Sequence, residues 1–184
     1  MKKIGLIIAA GMLVTTAFAQ TKVITKTGHI QMFSHTAAED INANNYKVIS
    51  TLELETGEMV FSVPMQGFEF EKAAMQKHYN SPKFVDTKQF PKAKFKGKIM
   101  NIENANLSKD GTYKVTVSGE LTMHGVTKGV QEDGMITVKA GTVTANTTFK
   151  LALADYKIAF EKGKPSTNIA KEVELTINMD YKAK

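Results

Sequence analysis

The sequence predicts an all-β domain of antiparallel strands with one short helical insertion. Three observations carry this. Most segments alternate apolar and polar residues with a period of two, the repeat of a strand with one buried face. Turn-forming groups such as "TGE", "SKDG" and "KAG" separate those segments at short intervals. Only residues 71–80, "EKAAMQKHYN", break the alternation, and they are mostly good helix formers.

The chain begins "MKKIGLIIAAGMLVTTAFAQ". Lys2 and Lys3 form a charged start, Ile4 to Val14 an apolar run, and Ala17-Phe18-Ala19 places small residues where a signal peptidase reads. Residues 1–19 are expected to be a signal peptide cut near Ala19, with a single domain over 20–184 that works in the periplasm or is secreted. The apolar run is short for a membrane span and has no basic stop-transfer flank. A lipoprotein anchor needs a cysteine, and the chain has none.

The absence of cysteine also excludes disulfides, thiol catalysis, iron–sulfur clusters and cysteine zinc sites. Without Lys2 and Lys3, the 24 basic residues fall to 22, against 18 acidic ones. All are lysine. Proteins that grip phosphates or nucleic acid favour arginine's bidentate fork. The charge therefore reads as solubility, with at most a weak, transient attraction to an anionic membrane surface, and no nucleic-acid partner is expected.

Tyr46, Val48, Leu52 and Leu54 share one parity, then "TGE", then Met59, Phe61, Val63 and Met65 share another, which predicts a β-hairpin. Pro64 marks an end, bulge or edge. The helix over 71–80 follows, limited by Pro82, with a loop or one more turn through "SPKFVDTKQFP". "QFPKAKFKGKIM" opens the next strand, which is expected to run to about Ile102. Its lysines at 92, 94, 96 and 98 lie on one face and Ala93, Phe95, Gly97 and Ile99 on the other. After "SKDG", Tyr113, Val115, Val117, Gly119, Leu121 and Met123 alternate. "HGVTKG" is expected to be a turn or bend, Val130 to Val138 a strand kinked at Gly134, and "EKGKPS" a loop. Val143 to Leu153 alternates before that loop. After it, Val173, Leu175, Ile177, Met179 and Tyr181 share one face of a last strand. Periodicity gives about seven to nine strands and leaves a sandwich and a barrel equally open. Long strands with inward glycines such as Gly97 and Gly119 suit a barrel.

Four histidines occur: His29, His35, His78 and His124. None is paired at i, i+4, so no metal site is expected. His124 beside Gly125 reads as a turn residue making a structural hydrogen bond. His78, near the helix end and aromatic residues, reads as a helix cap or a head-group contact. No G-x-S-x-G elbow, phosphate loop or H-E-x-x-H is present. The acidic pairs Glu39-Asp40 and Glu132-Asp133 read as solvated loops with ordinary acidity. No catalytic residue and no cofactor are expected, and the chain is not read as an enzyme. Eight methionines remain beyond the first 19 residues, and Met32, Met59, Met65, Met75 and Met123 lie in inward-reading segments. Flexible thioethers suit an adaptable apolar lining, or an irregular core.

Three stretches carry a resemblance. "TGHIQMFSHTAAEDINANN", "FEFEKAAMQKHYNSPKFVDTKQFPKAKFKGKI" and "VSGELTMHGVTKGV" resemble, in this order, segments of the YceI-like family of exported proteins. "LADYKIAF" looks like a reduced form of the segment before that family's last strand. The resemblance implies an antiparallel lipocalin-like β-barrel of about eight strands with one short helical insertion. It also implies a long-chain lipid or isoprenoid ligand (polyisoprenoid, isoprenoid quinone or fatty acyl compound) in an elongated apolar cavity. Better-known members carry an Arg-Asp pair before the helical segment's His-Leu; this chain reads Met75-Gln76-Lys77-His78 there, which favours a neutral head over an acidic pyrophosphate. The residues expected to meet the ligand are Phe33, Phe61, Met65, Phe68, Phe70, Met75, His78, Phe84, Phe95, Ile99, Val117, Met123 and Phe149. Ala93 and Gly97 would share that wall. A monomer and a homodimer are both compatible with the sequence. The other readings of the same residues are an envelope interaction or stress protein with a filled core, and a small hydrolase or isomerase on the same scaffold.

Overall fold

A computed structural model describes residues 22–36, 39–158 and 170–183. The expected signal peptide and the "EKGKPS" loop lie outside the described residues. Nine strands and one helix follow in order: β1 (Lys22–His35), β2 (Asp40–Glu53), β3 (Glu58–Pro64), β4 (Glu69–Phe70), α1 (Ala73–Asn80), β5 (Lys92–Ile99), β6 (Gly111–Met123), β7 (Val126–Lys139), β8 (Thr142–Ala152) and β9 (Glu172–Ala183).

All pairings are antiparallel, and the strands run β2–β3–β5–β6–β7–β8–β9–β1. β1 pairs with β2 as well as β9, so eight strands close into a barrel, with β4 a two-residue addition to β2. The choice between sandwich and barrel is thereby decided. Closure leaves the alternating apolar faces nowhere to go but inward.

The hairpin around "TGE" forms, and β3 ends at Pro64. Two further connections are tight pairs with both residues at positive φ: His124-Gly125 (51° and 74°) and Ala140-Gly141 (49° and 78°). Such turns match the twist of the strands they join. Hence "HGVTKG" is not a long bend: Val126 to Gly129 already belong to β7, paired with Glu120 to Met123. β5 stops at Ile99, and a short 3-10 turn takes Ile102–Asn104.

β1, which alternation did not delineate, and the first half of β2 carry paired bulges. Register shifts flank Gly28, one adding a residue in β1 and the next in β2. Thr25 Oγ1 accepts the Thr27 N–H at 3.4 Å, and Asn45 Oδ1 accepts the Lys47 N–H at 2.9 Å, which satisfies backbone groups that the bulges release. Each bulge flips the inward parity. In β2 the buried set is Ala43 and Asn45, then Val48, Ser50 and Leu52. Tyr46 does not share the face of Val48; it is 55% exposed and stacks on His29 with ring centroids 4.5 Å apart.

One end of the barrel is solid. Val23, Val48, Leu52, Ile99, Val138, Val143 and Tyr181 are buried there. The Tyr181 hydroxyl lies 2.8 Å from Ser50 Oγ. The other half of the lumen is hollow.

Candidate ligand-binding site

The hollow half encloses a cavity of about 440 Å³, within the range of small-molecule sites. Its wall is mostly Met, Phe, Val, Leu and Ile, with a few polar groups: Ser34, Glu39, His78, Glu132, Asp133, Asn146 and Thr147. α1 and the turns after it close one side, bringing Met75, His78 and Phe84 to the wall.

The residues expected to meet a ligand fall into two groups. Phe61, Met65, Phe68, Phe70, Met75, His78, Phe84, Phe95, Val117, Met123 and Phe149 all line the cavity. Phe33 and Ile99 do not. Phe33 sits between Met32 and Ser34, which do line it, because the β1 bulge shifted the inward parity to even numbers. Ile99 is 1% exposed and belongs to the solid end, where its backbone N–H donates to the Gly57 carbonyl.

The lysine-rich strand divides as its alternation implies. Lys92, Lys94, Lys96 and Lys98 are exposed, while Ala93 and Phe95 line the cavity. Gly97 lies opposite Gly119 on β6. A Cβ on either would come within 3 Å of the Phe95 ring, at 2.5 Å from Gly97 and 2.8 Å from Gly119. The two glycines thus make a bare patch that receives the tip of the ring. Phe61, its partner on β3, meets it edge-on at 5.9 Å.

His124 has its expected structural role: Nδ1 donates to the Tyr156 carbonyl at 3.0 Å. His35 pairs with Asp40, and His29 lies 2.9 Å from Asn44 Oδ1, so these two serve the surface of the β1–β2 hairpin. His78 packs against Phe84, ring centroids 5.4 Å apart. Among the described residues no group of three or more His, Cys, Asp or Glu could hold a metal ion.

Glu132 corrects the sequence reading. It is no solvated loop residue but lies on β7 opposite Val117, facing the lumen. Burial, and then the charge of Asp133, hold its carboxyl above the usual range. Asp133 faces out and is held below the usual range by the Thr116 hydroxyl, 2.8 Å away, and by Lys114. The even parity that Glu132 shares with Val130 and Ile136 was the available signal. Tyr79 was also missed. It lines the cavity between Phe68, Phe70 and Phe84, and burial raises its phenol well beyond the ordinary value. Its hydroxyl is buried without a partner.

A closed antiparallel barrel, solid at one end and holding an apolar cavity at the other, is the architecture of lipocalin-like binding proteins. The family model of the YceI-like domain matches residues 14–181, and the chain belongs to that family. Among solved structures, the chain is similar to a polyisoprenoid-binding domain from Saccharophagus degradans (TM-score 0.74, 12% identity, 90% of this chain and 100% of that one). It is similar to BcnA of Burkholderia cenocepacia (TM-score 0.72, 15% identity, 84% and 96%). It is also similar to a YceI protein of Campylobacter jejuni (TM-score 0.56, 14% identity, 100% and 94%). No match was found among curated protein sequences.

Proposed function

We propose that this chain is a binding protein, not an enzyme, that is exported and holds one long apolar or amphiphilic lipid in the barrel. Polyisoprenoids, isoprenoid quinones and fatty acyl compounds are the candidate classes. The observation that carries this reading is the apolar cavity of about 440 Å³ in a barrel whose other half is packed solid. Burial of hydrocarbon contributes about 0.8 kcal/mol per CH₂, so a dozen groups bind tightly with few polar contacts. The eleven lining residues that the sequence singled out form the ligand's wall, with His78 at the helical side. The description of the Saccharophagus degradans domain as polyisoprenoid-binding supports the same class of ligand. Residues 1–19 serve as the signal peptide, cut near Ala19, and the domain acts in the periplasm or outside the cell.

The test is direct. Residues 20–184, expressed behind an export signal and purified without detergent, are extracted with organic solvent and analysed by mass spectrometry. A stoichiometric isoprenoid, quinone or acyl compound names the cargo. An empty extract, with no uptake of added lipids, would sink the reading and turn attention to a protein partner.

A further inference from the structure

The barrel wall is not complete. β7 pairs with β6 along almost its whole length, Gly111 to Met123 against Val126 to Val138. β8 pairs with β9 from Val143 to Ala152. Between β7 and β8, however, the ladder covers only Met135–Lys139 against Thr142–Asn146. Beyond Gly134, the facing edges of residues 126–134 and 147–152 carry no strand pairing among the described residues. The last tie at the split is a side chain: the Thr147 hydroxyl donates to the Asp133 carbonyl at 2.6 Å.

The cavity passes through this gap. Its lining includes inward residues of β7 and β8 (Glu132, Gly134, Phe149) together with outward ones (Asp133, Met135, Asn146). The other described strands contribute only inward residues to this lining, so the mixed set on β7 and β8 marks where the wall opens. Outside the same gap lies a second hollow of about 270 Å³, which shares Val130, Glu132, Phe149 and Leu151 with the main cavity. The hollow is otherwise polar and nearly balanced in charge. Lys128 is neutralised by Asp155, 2.5 Å away, and Lys150 stands beside Glu174 on β9. Glu132 and Glu172 add no positive charge. The strand edges add backbone N–H and C=O groups that need partners.

We propose, building on the lipid reading, that the slit between β7 and β8 is the ligand's doorway, and that the outer hollow seats an uncharged, hydrogen-bonding head group while the tail lies in the barrel. Edge N–H and C=O groups suit a head that both donates and accepts, such as a hydroxyl or an amide. A phosphate there would face the carboxyls of Glu132, Asp155 and Glu172, and among the described lining residues only Lys150 is a cation outside an ion pair.

The chain has no cysteine, so a Gln131→Cys/Lys150→Cys variant places the only two thiols on opposite lips of the slit. It is joined with a bis-maleimide and compared with the same variant blocked by N-ethylmaleimide. The readout is transfer of a pyrene-labelled long-chain alcohol to phosphatidylcholine vesicles. Linking is expected to slow transfer about tenfold or more, as closing a lid does. Unchanged transfer in the linked protein overturns the doorway. In the wild type, the alcohol is expected to bind about tenfold or more tighter than the phosphate monoester of the same chain, and Glu132→Gln to narrow that gap, as removal of a facing charge does. A phosphate that binds as tightly as the alcohol overturns the seat. A wild type that binds neither probe overturns the lipid reading itself, and the doorway with it.

Discussion

Replacing Phe95 with aspartate separates ligand binding from folding. The tip of the ring reaches the Gly97–Gly119 patch, where neither residue has a side chain, and the ring packs edge-to-face with Phe61. Removing it takes contact from roughly three or four methylenes of a bound chain, about 2–3 kcal/mol. That alone weakens binding by about 30- to 200-fold. The carboxylate adds to the loss, because burying an ionised group against hydrocarbon is costly. The fold survives the change: the edge-to-face contact contributes about 0.5–1.5 kcal/mol and the ring's partial burial about 1–2 kcal/mol more, against the about 5–15 kcal/mol that hold an ordinary domain. The assay is lipid content by mass spectrometry beside far-UV circular dichroism and a melting curve. The expected result is a cooperative melt, a native spectrum and no retained lipid. Undiminished lipid in a protein with a native spectrum would falsify the assignment of this wall to the ligand.

The two buried tyrosines should respond with opposite signs. Tyr181→Phe strands the Ser50 hydroxyl and is expected to cost about 1–3 kcal/mol in urea unfolding, whereas Tyr79→Phe removes a hydroxyl that has no partner and should be neutral or stabilising; equal losses would contradict this. Glu132→Gln should raise the melting temperature at neutral pH. An acid whose folded pKa is raised favours folding while protonated and loses that advantage as pH rises through the folded value, so the gain should vanish once the pH falls below the ordinary 4.5; a pH-independent gain counts against the assignment. Gly125→Ala, at φ 74° and with Phe90 3.1 Å from the new Cβ, should cost about 1 kcal/mol and lower the melting temperature by about 2–4 °C in calorimetry, and an unchanged melt would refute it.

Much of the fold is legible wherever alternation runs unbroken. β9 shows this best: Val173, Leu175, Ile177, Met179 and Tyr181 all face the interior, as their spacing implies. The helix needed only its break in alternation and Pro82. What alternation hides is the bulge. One extra residue in β1 turned Phe33 outward and Met32 inward, and one in β2 exposed Tyr46, and nothing in the local composition announces either. Ile99 was misplaced for a different reason. Inward parity tells which face a residue takes, not whether the lumen at that height is filled. The gap between β7 and β8 depends on the absence of a partner, which no single strand's pattern records. Glu132 is the instructive miss, since its parity was readable but its charge argued for solvent.

The seam that closes the barrel joins the first and last strands, with Ile30 opposite Ile177. Contacts so distant in sequence impose a large loop-closure entropy before they return any burial, which places β-barrels among the slow folders, roughly milliseconds to seconds. Until β9 docks, β1 and β8 are both open edges and the apolar wall faces water. A lipid that binds only the closed form draws this equilibrium toward closure by mass action. The cargo therefore acts on the finished barrel as a latch, and the loaded protein should unfold more slowly than the empty one.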